Sequence, residues 1–164
     1  MIEQAVMYSG NHQNHPDESG PTKLELSMTT QTTPYGIGAA VSLDYPDAVD
    51  RVKEELAKEG FGILSEIDVA ATMKKKLDVD FRPYVILGAC NPPLAYKALM
   101  AERDIGLLLP CNVIVYADDA PGRSIVAAMD PVAALELTGN DDIAPLAADV
   151  KERLVRVLKA VERA

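Results

Sequence analysis

Two cysteines, each followed by asparagine, are the residues of this chain best suited to chemistry. They stand as Cys90-Asn91 and Cys111-Asn112, each at the edge of an apolar run, and the chain has no other cysteine. A thiolate is a nucleophile and a soft metal ligand, so the pair suits redox chemistry, sulfur transfer or metal binding. Asn91 is followed by Pro92 and Pro93, a sequence that starts a helix, with Asn as its cap. A helix dipole just after Cys90 favours thiolate. The two prolines remove two backbone N–H donors from that first turn. They weaken the effect and argue against a phosphate cradle. The same residues also have purely structural readings. Cysteine packs as a small apolar side chain, Asn91 caps a helix, and Asn112 satisfies backbone groups beside a buried strand end.

Glu66 and Asp68 form the second constellation. In the stretch Phe61 to Val69, strand alternation puts them on one face, opposite Ile63, Ser65 and Ile67. Neighbouring carboxylates can act as acid and base or bind a cation. Asp68 also stands where the next short helix needs its N-cap. The third is His12-Gln-Asn-His15, which holds both histidines of the chain. Two histidines are too few for a closed zinc site, and their surroundings read as a polar tail. A Ser-His-Asp or Cys-His mechanism would have to recruit that tail. Gly36 and Gly38 make only a G-x-G, short of a dinucleotide fingerprint. There is no C-x-x-C.

The elements that position these residues follow from periodicity. Residues 1 to 34 are expected to form a mostly flexible extension, with Ile2 to Tyr8 and Leu24 to Met28 as short strand candidates. The body then starts with a strand at Tyr35 to Leu43. Asp44 opens a helix with Pro46 in its first turn and a stripe of Tyr45, Val49, Val52 and Leu56; Gly60 ends it. The strand Phe61 to Val69 leads to a short helix bearing Lys74, Lys75 and Lys76, read as a solvated face. Tyr84 to Ala89 is continuously apolar and should be a central strand covered on both faces. A helix follows to about Arg103. Asn112 to Ala117 and Arg123 to Met129 should pair as a hairpin. Asp130-Pro131 starts a short helix that stops at Gly139. The last helix, about Asp142 to Glu162, carries the stripe Ile143, Leu146, Val150, Leu154, Val157 and Val161.

The expected fold is α+β. It has a mixed sheet of about five strands with a C-terminal β-hairpin, two long helices on one face and short helices at the edges. A helix between the strands ending at Cys90 and starting at Cys111 favours a parallel arrangement. That would hold the two thiols roughly 20 Å apart, whereas an antiparallel arrangement would bring them together at one edge. The short helices are too few to cover the second sheet face, which predicts a homodimer.

Composition bounds the rest. The chain has 164 residues, 48% of them hydrophobic and 25% charged, which suits one domain with a real core. Its formal net charge of −9 disfavours nucleic acid and anionic membrane surfaces as partners. The first ten residues have no signal-peptide pattern, and no apolar run approaches the ~20 residues of a membrane span. A cytoplasmic location is the expectation.

Three stretches together carry a family resemblance. They are Ile63-Leu-Ser-Glu-Ile-Asp-Val69, Lys76-Leu-Asp-Val-Asp-Phe-Arg-Pro-Tyr-Val-Ile-Leu-Gly-Ala-Cys-Asn-Pro92 and Gly106-Leu-Leu-Leu-Pro-Cys-Asn-Val-Ile-Val-Tyr116. Over roughly residues 35 to 163 the chain resembles the bacterial and archaeal family called domain of unknown function 302. The resemblance implies a small cytoplasmic α/β domain, usually dimeric, and no established activity. Beside it, the residues support a homodimeric binding or accessory protein. It would take a small ligand or soft metal, with cofactor unknown, near Cys90, Asn91, Cys111 and Asn112, with Glu66 and Asp68 as further candidates. A thiol-dependent redox or sulfur-transfer enzyme and an interaction module with structural cysteines are the alternatives.

Overall fold

A computed structural model describes residues 30–164. The histidine pair and the two N-terminal strand candidates lie outside the described residues. The sheet has six strands in the order β1-β2-β6-β5-β4-β3. These are β1 (Thr30–Thr33), β2 (Gly36–Val41), β3 (Gly62–Asp68), β4 (Tyr84–Cys90), β5 (Cys111–Ala117) and β6 (Ser124–Met129). Every neighbouring pair is antiparallel, so the sheet is not mixed. The short edge strand β1 adds to the five strands expected from the sequence. It is polar (Thr-Gln-Thr-Thr) and carries no apolar alternation to reveal it. The β5–β6 hairpin forms as expected, with Val115 opposite Val126.

One face of the sheet builds the core. Val85 and Leu87 of β4 stand opposite Val115 and Val113 of β5, which in turn stand opposite Val126 and Ala128 of β6. All six are buried. Two long helices cover this face. Helix α1 (Tyr45–Lys58) contributes Ala48, Val49, Val52 and Leu56; helix α5 (Ala144–Glu162) contributes Val150, Leu154, Val157 and Val161. Both stripes follow the 3.6-residue period of an amphipathic helix. Burying one such Leu or Val contributes roughly 1.5–3 kcal/mol.

The helix ends mostly follow their local signals. Asp44 holds the extended N-cap conformation before α1, yet its side chain makes no capping bond. Gly60, at φ +84°, ends that helix, a conformation favourable to glycine. Asp130 caps α4 (Pro131–Leu135) through Val132 N–H at 3.0 Å and binds Lys151 Nζ at 2.6 Å. Between the strands run α2 (Val69–Leu77) and α3 (Pro92–Ala101).

A second, smaller core lies beyond the end of β4 and β5. It gathers Ala98 of α3, Ile105 of the 3-10 helix Arg103–Leu108, Leu135 of α4, and Ile143 and Ala147 at the start of α5. The opposite sheet face is less covered. Tyr84 and Tyr116 stack there at 5.2 Å, and Ile86 and Ile114 are half-buried.

Candidate functional site

The end of the sheet where β4 stops and β5 starts brings the two cysteines to one place. Ala89 stands directly opposite Cys111 in the antiparallel register. The parallel arrangement, with thiols some 20 Å apart, is therefore wrong. The helix between these strands does not cross the sheet. Helix α3 rises about 15 Å over ten residues and the following 3-10 helix about 12 Å over six. The two pack against each other. The excursion returns to the end it left, so β5 runs back along β4.

A cleft of about 30 Å³ opens between the main core and the smaller one. It is bordered by Cys90 and Cys111, by Phe61 and Leu94, and by Leu146 and Val150 of α5. Its walls are almost wholly apolar. Cys90 is half-buried and Cys111 is buried; both are free thiols. Burial pushes the Cys90 thiol up from its ordinary value. Burial, and secondarily the charge that Cys90 would carry, pushes Cys111 up to about 11. Removal from water disfavours the thiolate and so opposes the lowering expected from the start of α3.

Asn91 is a helix cap, as the sequence predicted. Its Oδ1 accepts from Leu94 N–H at 3.3 Å, and its Nδ2 donates to the Glu59 carbonyl at 3.3 Å. A Cβ on Gly60 would lie 3.0 Å from that Nδ2, so glycine leaves room for the cap. The same Glu59 carbonyl accepts from Arg153 at 3.4 Å, and the Glu59 carboxylate holds Arg156 through two 2.9 Å bonds. The Arg156 hydrogen bond lowers the Glu59 pKa. This knot ties the end of α1 and the start of α3 to α5. The sequence reading missed it, because its members are 94 and 97 positions apart.

Asn112 does not join the cleft. It is exposed, stands opposite Gly88, and by alternation points to the other sheet face from Cys111. Gly88 itself is a packing requirement. A Cβ there would collide with Ser65 Oγ and approach Pro110 Cγ to 2.8 Å.

Glu66 and Asp68 do share a face, opposite Leu87 and Val85 respectively. They lie about 10 Å and about 17 Å along the sheet from the position of Cys90. Glu66 pairs with Lys53 of α1 at 2.8 Å. Asp68 caps α2 through Ala71 N–H at 2.8 Å. Burial, helped by the charges of Asp68 and Glu66, raises the pKa of nearby Tyr45. The geometry thus occupies both carboxylates structurally. Among the described residues, no group of three or more His, Cys, Asp or Glu side chains is arranged to hold a metal ion. No helix among them is long and apolar enough to cross a membrane.

The fold and site define a small α+β domain: a two-helix layer on an antiparallel sheet, with a thiol-bordered apolar cleft at one sheet end. A family model described as "Domain of unknown function DUF302" matches residues 37–161. The chain belongs to that family. Its structure is similar to the crystal structure of an uncharacterized conserved DUF302 protein from Bacillus stearothermophilus. The two share 29% sequence identity at a TM-score of 0.72, over 77% of this chain and 98% of that one. No curated protein matches the chain.

Proposed function

We propose that this domain binds a small apolar ligand, or the apolar end of a larger one, in the cleft beside Cys90 and Cys111. The observation that carries the proposal is the cleft's composition: two thiols and otherwise almost wholly apolar walls, at a seam between two hydrophobic cores. Both thiols have raised pKa values, so they stay protonated at neutral pH. In that form they offer soft, weakly donating contacts to a ligand. The same protonation works against the rival readings. A nucleophilic catalyst or a soft-metal site needs thiolate.

The test is xenon binding followed by amide chemical shifts. Xenon should move the signals of Cys90, Leu94, Cys111 and Val150, and Ala95→Leu, which enlarges a side chain in the cleft wall, should abolish the shifts. Shifts absent altogether, or unchanged in Ala95→Leu, would overturn the reading.

A homodimer belongs to the same proposal. Its support is the thinly covered sheet face, where Ile67 is 47% exposed and Ile86 and Ile114 are half-buried. Such apolar surface is more typical of an interface than of a free monomer. Sedimentation equilibrium across micromolar concentrations checks it, with a monomer throughout as the refuting result. A cytoplasmic setting is also proposed, supported by two cysteines that remain free thiols.

A further inference from the structure

Helix α3 buries one side and leaves a second apolar side in water. Leu94 and Ala98 face the cores. Tyr96, Leu99 and Met100, spaced i, i+3 and i+4, are 66%, 42% and 70% exposed. That spacing places the three on one helical surface. An exposed stripe of this kind is a recognition feature and carries a solubility cost if left bare.

The surface continues across the end of α3. Asn140 Nδ2 donates to the Ala101 carbonyl at 3.4 Å and to Glu102 Oε2 at 3.3 Å. Asn140 in turn lines a groove of about 340 Å³. The groove is floored by Leu135, Ala144 and Ala147 and rimmed by Glu136 and Asp141. Leu137, in the 3-10 turn beside it, is 80% exposed. Glu102, Asp104, Glu136, Asp141 and Asp142 form no ion pair with a cation among the described residues. Lys97 and Arg103 are the only cations these stretches contribute.

We infer that this surface docks a basic amphipathic helix from a partner protein. Apolar side chains of the partner would pack on Tyr96, Leu99 and Met100. Its Lys or Arg residues would meet Glu102, Glu136 and Asp141, and one long side chain would enter the groove. Apolar anchors supply the contact area, and the acidic rim selects the sign of the partner and speeds encounter. Helix-in-groove recognition works with this division of labour. The inference is independent of the thiol-bordered cleft.

The probe is a fluorescein-labelled 18-residue helical peptide of leucine and lysine, with a leucine and glutamate peptide as its control. Anisotropy titration of the full chain should show saturable binding of the basic peptide only. Affinity should fall as salt rises from 50 to 300 mM, because the rim charges are exposed. Leu99→Lys/Met100→Lys and Glu136→Lys/Asp141→Lys should each weaken binding about tenfold or more, equivalent to about 1.4 kcal/mol. The charge-matched Asp47→Lys/Asp50→Lys on α1 should leave it unchanged. Circular dichroism and thermal melts of each variant separate lost binding from lost fold, and Tyr96→Ala serves as a milder variant. Three results overturn the inference. They are no binding, equal loss in the α1 control, and a dimer of the wild type that Leu99→Lys/Met100→Lys turns into a monomer, which would assign the surface to a second copy.

Discussion

Strands β4 and β3 are neighbours in one sheet and yet live in different solvents. In β4 four of seven residues are buried and none is exposed. In β3 none is buried and six of seven are exposed. The difference lies in the layers around them. Helices α1 and α5 cover the core face of β4 and its neighbours, and α3 and α4 close the β4–β5 end. Strand β3 lies at the sheet edge, paired on one side only, with α1 as its main helical neighbour. The same backbone ladder therefore supports two chemistries. At the covered end, polar groups are either neutral, like the Cys111 thiol, or hydrogen-bonded, like Asn91. At the open end, Glu66 and Asp68 remain solvated and work as an ion-pair partner and a cap. Burial, more than residue type, decides which groups have altered reactivity.

That contrast breaks if matched substitutions at the two strands cost the same. Leu87→Ala, at a fully buried site, should lower unfolding stability by about 2–5 kcal/mol, against less than about 1 kcal/mol for Ile67→Ala. Urea denaturation of both variants measures the gap, and equal midpoints would remove the distinction. Gly88→Val should cost about 1–3 kcal/mol by overpacking against Ser65 and Pro110. Ser65→Gly added to it should recover part of the loss, while no recovery would place the strain at Pro110 alone.

The pH dependence sharpens the comparison at Cys111. Its folded pKa lies above its unfolded one. The stabilisation from keeping the thiol neutral is complete below about 9 and is lost as pH rises from about 9 towards about 11. The loss is on the order of 3 kcal/mol. Tyr45 and Tyr84, also raised by burial, lose stability in the same direction. The reading is therefore the difference between wild type and Cys111→Ala. The variant should show a flatter decline, and parallel curves would mean that the thiol is solvated.

The two caps offer a smaller contrast. Asn91→Ala should cost about 1–2 kcal/mol, since it leaves the buried Leu94 N–H without its acceptor and removes one of two donors to the half-buried Glu59 carbonyl, whereas Asp68→Ala should cost about 0.5–1 kcal/mol. Thermal melts rank them, and the reverse order would show that the covered end tolerates an unbonded group. Smallest of all is Glu66→Gln, expected below about 0.5 kcal/mol because the Lys53 pair is exposed.

The legible parts of this molecule were the ones written in short-range pattern. The stripes of α1 and α5, the Asn91 and Asp130 caps, the apolar β4 and the β5–β6 hairpin are all set by neighbours within about one element. Strand direction was not. A helix between two strands usually signals a crossover, and nothing in residues 91–110 states that α3 and its 3-10 partner fold back on each other. Strand β1 carried no apolar signal. The cleft was half legible: both cysteines were singled out, but its other walls come from Phe61, Leu94, Leu146 and Val150, distributed over three parts of the chain.

Apart from β1, the sequence by itself determined which segments are helical or extended, which faces are apolar, and which residues carry potential chemistry. Those follow from local sterics, capping and the periods of 3.6 and 2. Tertiary structure alone decided that Ala89 meets Cys111, that Asn112 turns away from the cleft, and that Glu66 and Asp68 lie remote from the thiols. It also raised the pKa of Cys111. A pKa depends on how much water the surrounding layers exclude, and those layers come from distant parts of the chain.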